Sequence, residues 1–103
     1  MAKSTVYFTK EISSDSLLRI YRTLGVQLKE KVAVKLSTGE PGGHNFLQPS
    51  MIKELVKEVN GTIVECNTAY GGPRSKTKSH WEVMKKHGFL EIVPVILWTA
   101  KRR

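Results

Sequence analysis

The chain has 103 residues, 40% hydrophobic and 25% charged, which is the make-up of one ordinary globular domain and not of a disordered chain. Its single cysteine, Cys66, excludes an internal disulfide framework, a CxxC redox pair and a four-cysteine iron–sulfur or zinc site within one chain. The net charge of +8 is uneven: from Arg74 onward eight basic residues stand against Glu82 and Glu91. The amino terminus has no long apolar region behind its basic start, so it does not read as a secretory signal. The longest apolar run, Ile92 to Trp98, is broken by Pro94 and falls well short of the roughly 20 residues that span a bilayer. A free thiol without a disulfide leads to the expectation of a cytoplasmic protein with no membrane contact.

Taken in chain order, Ser4 to Thr9 (STVYFT) is short and rich in β-branched and aromatic residues, which predicts a first strand. Ser13, Ser14, Asp15 and Ser16 form a helix N-cap cluster. Leu17, Leu18, Tyr21 and Leu24 follow at helical spacing, with Gly25 suited to a left-handed C-cap. In Lys31 to Leu36, Val32, Val34 and Leu36 alternate as in a strand. A loop rich in glycine and proline then runs from Ser37 to Gln48. Pro49-Ser50 opens a second helix with apolar residues at 51, 52, 55, 56 and 59, closed by Asn60-Gly61. Thr62 to Cys66 predicts a third strand, followed by a second glycine-rich loop from Asn67 to Ser75. A third helix is predicted from Lys76 or Thr77 to His87, capped by Gly88, and a fourth strand from Val95 to Trp98, after Pro94. Residues 99–103 read as a disordered basic tail.

This order, β-α-β-α-β-α-β, predicts one α/β domain over residues 1–103, with three layers and a mainly parallel four-stranded sheet. Ligands of open parallel sheets bind beyond the carboxyl ends of the strands. Both glycine-rich loops leave such ends and feed helix N-termini, which favour anions. The two loops therefore predict a cleft for a small anionic ligand. Arg74, Ser75 and the adjoining helix N-terminus would hold the anion, Glu40 and Asn67 would add polar contacts, and Lys35 would reach in from its strand. The same composition also serves ordinary turns, and neither loop carries a Walker or GxGxxG pattern.

The remaining chemistry-bearing residues point less far. His80 and His87 are seven apart on the third helix, too far for i,i+4 chelation, and His44 lies on a loop. Surface or interface histidines are the plainer expectation, and no metal site is assigned. Cys66 ends an apolar strand and reads as a buried, inert thiol. Trp81 and Trp98 read as core or interface anchors, while Tyr70 suits either stacking on a ligand or packing over the sheet edge. No catalytic Ser/His/Asp arrangement can be assigned. An exposed sheet edge predicts a homo-oligomer, formed through the last strand or the Trp98 region. The basic final third, with Lys85, Lys86 and Lys101-Arg102-Arg103, would suit nucleic-acid phosphates, although no nucleic-acid motif accompanies it and a solvated basic face explains it equally.

Two stretches carry a family resemblance. One is Val32-Ala33-Val34-Lys35-Leu36-Ser37-Thr38-Gly39-Glu40-Pro41-Gly42. The other is Glu65-Cys66-Asn67-Thr68-Ala69-Tyr70-Gly71-Gly72-Pro73-Arg74-Ser75, followed by His80, His87-Gly88-Phe89 and Pro94-Val95-Ile96. Together they resemble the uncharacterised family catalogued as domain of unknown function 362, over nearly the whole chain. Lys35, Gly39, Glu40, Gly42, Asn67, Thr68, Tyr70, Gly72, Arg74 and His80 match its pattern. The resemblance implies an α/β domain and an association with iron–sulfur chemistry, because many members carry a ferredoxin-like module. This chain is much shorter, has no such module and has Ser37 where many relatives have histidine. An iron–sulfur cofactor within this chain is therefore not expected. A shortened piece of that family is the expectation, with Thr68, Tyr70, Gly39, Gly42 and Gly72 joining the candidate ligand-binding residues named above.

Overall fold

The computed structural model describes residues 2–98. In chain order it contains α1 (Ser14–Arg22), β1 (Val32–Lys35), α2 (Pro49–Glu58), β2 (Gly61–Cys66), α3 (Thr77–Lys86) and β3 (Val95–Trp98), with 3-10 turns at Pro73–Ser75 and Phe89–Glu91. The fold is α/β, and the three strands form one parallel sheet in the order β1-β2-β3. Val34 pairs with Ile63, and Ile63 with Val95, so β2 is the central strand.

Helix boundaries follow local chemistry. Ser13 caps α1 by accepting from the Ser16 amide, and Asp15 sits in the favourable first turn. Pro49 opens α2, where its missing N–H costs nothing. Ile52 and Val56 face inward from α2, matching the predicted stripe. They join Ile63, Phe89 and Val93 in the core, with Leu17, Val34, Leu36 and Phe46 packed around them. Arg22 and Glu58 tie α1 to α2 through two hydrogen bonds of 2.8 and 2.9 Å.

Four expectations are corrected. Residues 4–9 form no strand, so the sheet has three strands among the described residues and not four. Strand propensity has force only where a pleated surface receives the segment; here the Thr9 hydroxyl instead bonds Ser16 on α1 at 2.8 Å, and Val6 and Phe8 stay exposed. Second, the domain has two layers among the described residues. With strands in the order 1-2-3, two right-handed crossovers step the same way and put α2 and α3 on one face. Third, Cys66 is exposed, because strand alternation turns it to the opposite, uncovered face. Trp98 likewise projects from that face and is no core anchor, and Leu24 lies beyond the end of α1 in solvent. Fourth, His80 is no surface histidine but is fully buried. The proposed tail, 99–103, lies outside the described residues. No helix among the described residues is long and apolar enough to cross a membrane.

Candidate functional site

The two glycine-rich loops meet at the carboxyl ends of β1 and β2. Their junction is a buried carboxylate, Glu65, on the same face of β2 as the core residue Ile63. Burial alone would raise its pKa. The Thr38 and Cys66 amides, the Lys35 ammonium and the Thr38 hydroxyl outweigh that, so the Glu65 carboxyl stays below the usual carboxylate range. The geometry agrees. Thr38 donates to Glu65 Oε2 from its amide at 2.8 Å and from its hydroxyl at 3.1 Å. The Cys66 amide and Lys35 Nζ reach Oε1 at 3.1 and 3.3 Å.

Arg74 completes the junction. It is 6% exposed, rare for arginine unless paired. Its Nη2 donates to Glu65 Oε2 at 3.3 Å and to Ser37 Oγ at 3.2 Å. Its Nη1 donates to Glu40 Oε2 at 2.9 Å and lies 3.3 Å from the Tyr70 hydroxyl. Tyr70 also donates to Glu40, and this bond, followed by the Arg74 charge, holds the Glu40 carboxyl below its ordinary value; the same bond raises the Tyr70 pKa. The first loop thus supplies Ser37, Thr38 and Glu40, the second supplies Tyr70 and Arg74, and the guanidinium clamps them.

The other predicted residues shape this junction. The Thr68 amide donates to the Arg74 carbonyl at 2.9 Å, and its hydroxyl donates to the Tyr70 carbonyl at 3.0 Å. The Ser75 hydroxyl donates to the Gly72 carbonyl at 2.7 Å, inside the loop's own turn. Asn67 Nδ2 donates to Thr77 Oγ1 at 3.2 Å, which leaves its Oδ1 facing His80 Nδ1 at 2.9 Å. Nδ1 therefore carries the proton in neutral His80, while its buried Nε2 has no hydrogen-bond partner and lies 4.0 Å from Glu65 Oε2. Gly39 has φ +95, and a Cβ there would stand 2.5 Å from Phe46 Cδ1, so only glycine fits.

Beside the junction lies a cleft of about 600 Å³ between the first loop and α3. Pro41, Phe46, Pro73 and Val83 form its apolar part; His44, Lys86 and His87 stand among its polar groups. Gly42 is the one predicted ligand-binding residue that lines it. The rest brace the loops. The Phe46 and His87 rings stack with centroids 4.2 Å apart. His87 Nδ1 lies 2.7 Å from the Thr38 carbonyl, which can only accept, so Nδ1 is the protonated nitrogen and Nε2 is left to a ligand. Sequence reasoning missed Glu65, Thr38, Phe46, Lys86 and His87 as site residues. For Glu65 a signal existed: it is two residues from Ile63 and shares its buried face. No cluster of three or more His, Cys, Asp or Glu side chains among the described residues could hold a metal ion.

The titratable groups set an expected pH dependence. Burial lowers the His80 pKa, the nearby Glu65 charge only partly opposing it. The unfolded chain therefore takes up a proton at His80 near the ordinary value of 6.5 while the folded chain does not, so stability falls as pH drops below that value. Glu40 and Glu65 contribute stability that is present above the ordinary 4.5 and lost as pH falls through their lower folded values. Urea midpoints should be level above neutrality, decline through weakly acidic pH, and drop further in acid. His80→Gln should remove the decline between about pH 7 and 5 and leave the acid limb.

Comparison with family models, with curated proteins and with solved structures found no match to this chain.

Proposed function

We propose that this protein binds a small anionic ligand in the cleft between the Ser37–Gln48 loop and α3. The observation that carries the proposal is the cleft itself: about 600 Å³, within the size range of ligand sites, apolar inside and bearing a few fixed polar groups. His87, held by the Thr38 carbonyl and by its stack on Phe46, offers a pre-oriented Nε2 that accepts from a hydroxyl or N–H carried by the ligand. Lys86 supplies a positive charge beside it and makes no ion pair among the described residues, Glu82 is the one carboxylate of the lining, and the chain's net charge of +8 favours anions over cations. In this reading Arg74 does not meet the ligand. Its positive charge is used by Glu40 and Glu65, and its part is to fix the distance between the loops. The likeness to the domain of unknown function 362 belongs to the same proposal: Lys35, Glu40, Tyr70 and Arg74 are shared with that pattern as loop-bracing residues, and relatives would share the scaffold more than the ligand.

The test is a thermal-shift series with inorganic phosphate, nucleoside monophosphates and aromatic carboxylates. A ligand present at ten times its Kd stabilises by about 1.4 kcal/mol, which for a domain of this size raises the melting temperature by roughly 5–10 °C. That shift is expected to saturate, and to shrink sharply in Lys86→Ala and His87→Ala. No shift with any of these anions at millimolar concentration would refute the reading.

A further inference from the structure

The lining of the cleft between the first loop and α3 divides by burial. Val83 is buried and Phe46 and His87 are half-buried, while Glu82 and Lys86 are exposed. Glu82 and Lys86 lie one turn apart on α3, so their Cβ atoms are roughly 5–6 Å apart. They form no ion pair with each other or with any other described residue. Lys86 is the one lysine or arginine of the lining, and fixed acceptors outnumber it. Ionised Glu82 only accepts, and His87 Nε2 accepts because Nδ1 donates to the Thr38 carbonyl at 2.7 Å. The Ser79 hydroxyl is taken up by the Pro73 carbonyl. His44 and Gln48, exposed on the loop, can each donate or accept and so select nothing.

Resting on the reading of this cleft as an anion site, we infer that its ligand is a singly charged aromatic acid that also carries a ring hydroxyl or amino group. The carboxylate pairs with Lys86, the ring lies against Phe46 and Val83, and the ring O–H or N–H donates to His87 Nε2. A different feature selects each part. The apolar base favours a ring over a bare phosphate. The His87 ring stacks on Phe46 with centroids 4.2 Å apart and planes 14° apart, and its Nδ1 is tied to Thr38, so the free lone pair has one direction. A ring without a donor covers that lone pair and leaves it unpaired, which costs about tenfold or more in Kd. A second negative charge, as on a dicarboxylate or a phosphate dianion, comes within a helical turn of Glu82 and is repelled.

Calorimetric titration of the full chain with benzoate, its ortho, meta and para hydroxy and amino derivatives, isophthalate and inorganic phosphate tests this. At least one hydroxy or amino isomer is expected to bind about tenfold or more tightly than benzoate, and isophthalate and phosphate more weakly than benzoate. His87→Phe keeps an aromatic ring beside Phe46 but removes the acceptor, so it should close the gap between that isomer and benzoate. Glu82→Gln, a change at an exposed position, should raise the affinity for isophthalate relative to benzoate. Circular dichroism verifies that both variants are folded. Equal affinity for benzoate and all its derivatives overturns the inference and leaves the anion site standing. So does a gap that survives in folded His87→Phe, an isophthalate affinity that Glu82→Gln does not raise, or binding of phosphate with no aromatic acid bound. Binding of none of these anions overturns the inference together with the reading it rests on.

Discussion

Glu65→Ala is expected to lower the stability of the fold by about 3–5 kcal/mol, the cost of removing one member of a buried charge pair. Glu65 is 2% exposed and Arg74 6%, so the substitution strands a guanidinium in a dry setting with only Glu40, itself largely exposed, as counter-charge. It also orphans the Thr38 amide and hydroxyl, which both donate to the same carboxylate oxygen. Domains of this size have about 5–15 kcal/mol in total, so the variant should melt at least 12 °C lower and expose its loops to proteases. The contrast that separates charge from packing is the double replacement Glu65→Leu with Arg74→Met. A buried ion pair exchanged for apolar groups of like size is often neutral, so the double variant should recover the part of the loss due to the stranded guanidinium and keep the part due to the orphaned Thr38 donors. Urea denaturation with a full two-state analysis reads both. Equal losses in the single and double variants would mean that the pair is not what joins the loops.

Phe89→Ala should cost about 3–5 kcal/mol, from lost burial and the cavity left behind. Phe89 is fully buried at the end of the α3 layer, in contact with the cluster of Ile52, Val56 and Ile63. It also supports the site, because its ring lies 5.9 Å from Phe46, which in turn stacks on His87. Phe89→Leu fills more of the space and should lose about half as much. The two substitutions should differ in a second respect. Where Phe89→Ala still folds, Phe46 and His87 lose their backing, and the thermal shift from an anion should fall with the stability. Retention of the full ligand shift in folded Phe89→Ala would detach the cleft from the core.

How far the sequence carried depends on which residues had local causes. The capped and striped helix from Pro49, and the apolar stretches around Ile63 and Leu97, were legible because period and punctuation act within a few residues. The meeting of the two loops was legible in outline, since both leave strands of one parallel sheet. Its chemistry was not. Arg74 looks like a ligand-binding cation until Glu40 and Glu65, distant in sequence, are seen to claim it. The exposed stretch 4–9 has the same β-prone composition as a paired strand, yet it pairs with neither edge of the sheet and its Thr9 hydroxyl bonds Ser16 on α1 instead. The layer count likewise depends on strand order, which no local signal encodes; one fact, the order β1-β2-β3, moved both helices to one face and left Cys66 and Trp98 in the open.

We propose that an internal clamp, Arg74 between Glu40 and Glu65, holds two loops so that the neighbouring cleft receives an anion. The most direct measurement is an amide NMR titration of the full chain with the anion that gives the largest thermal shift. Saturable shifts are expected at Gly42 to Phe46 and Ser79 to His87, around the cleft, with small changes at Ala33, Val64 and Ile96 on the open face. Shifts centred on the open face, or spread over the basic residues without saturation, would contradict it.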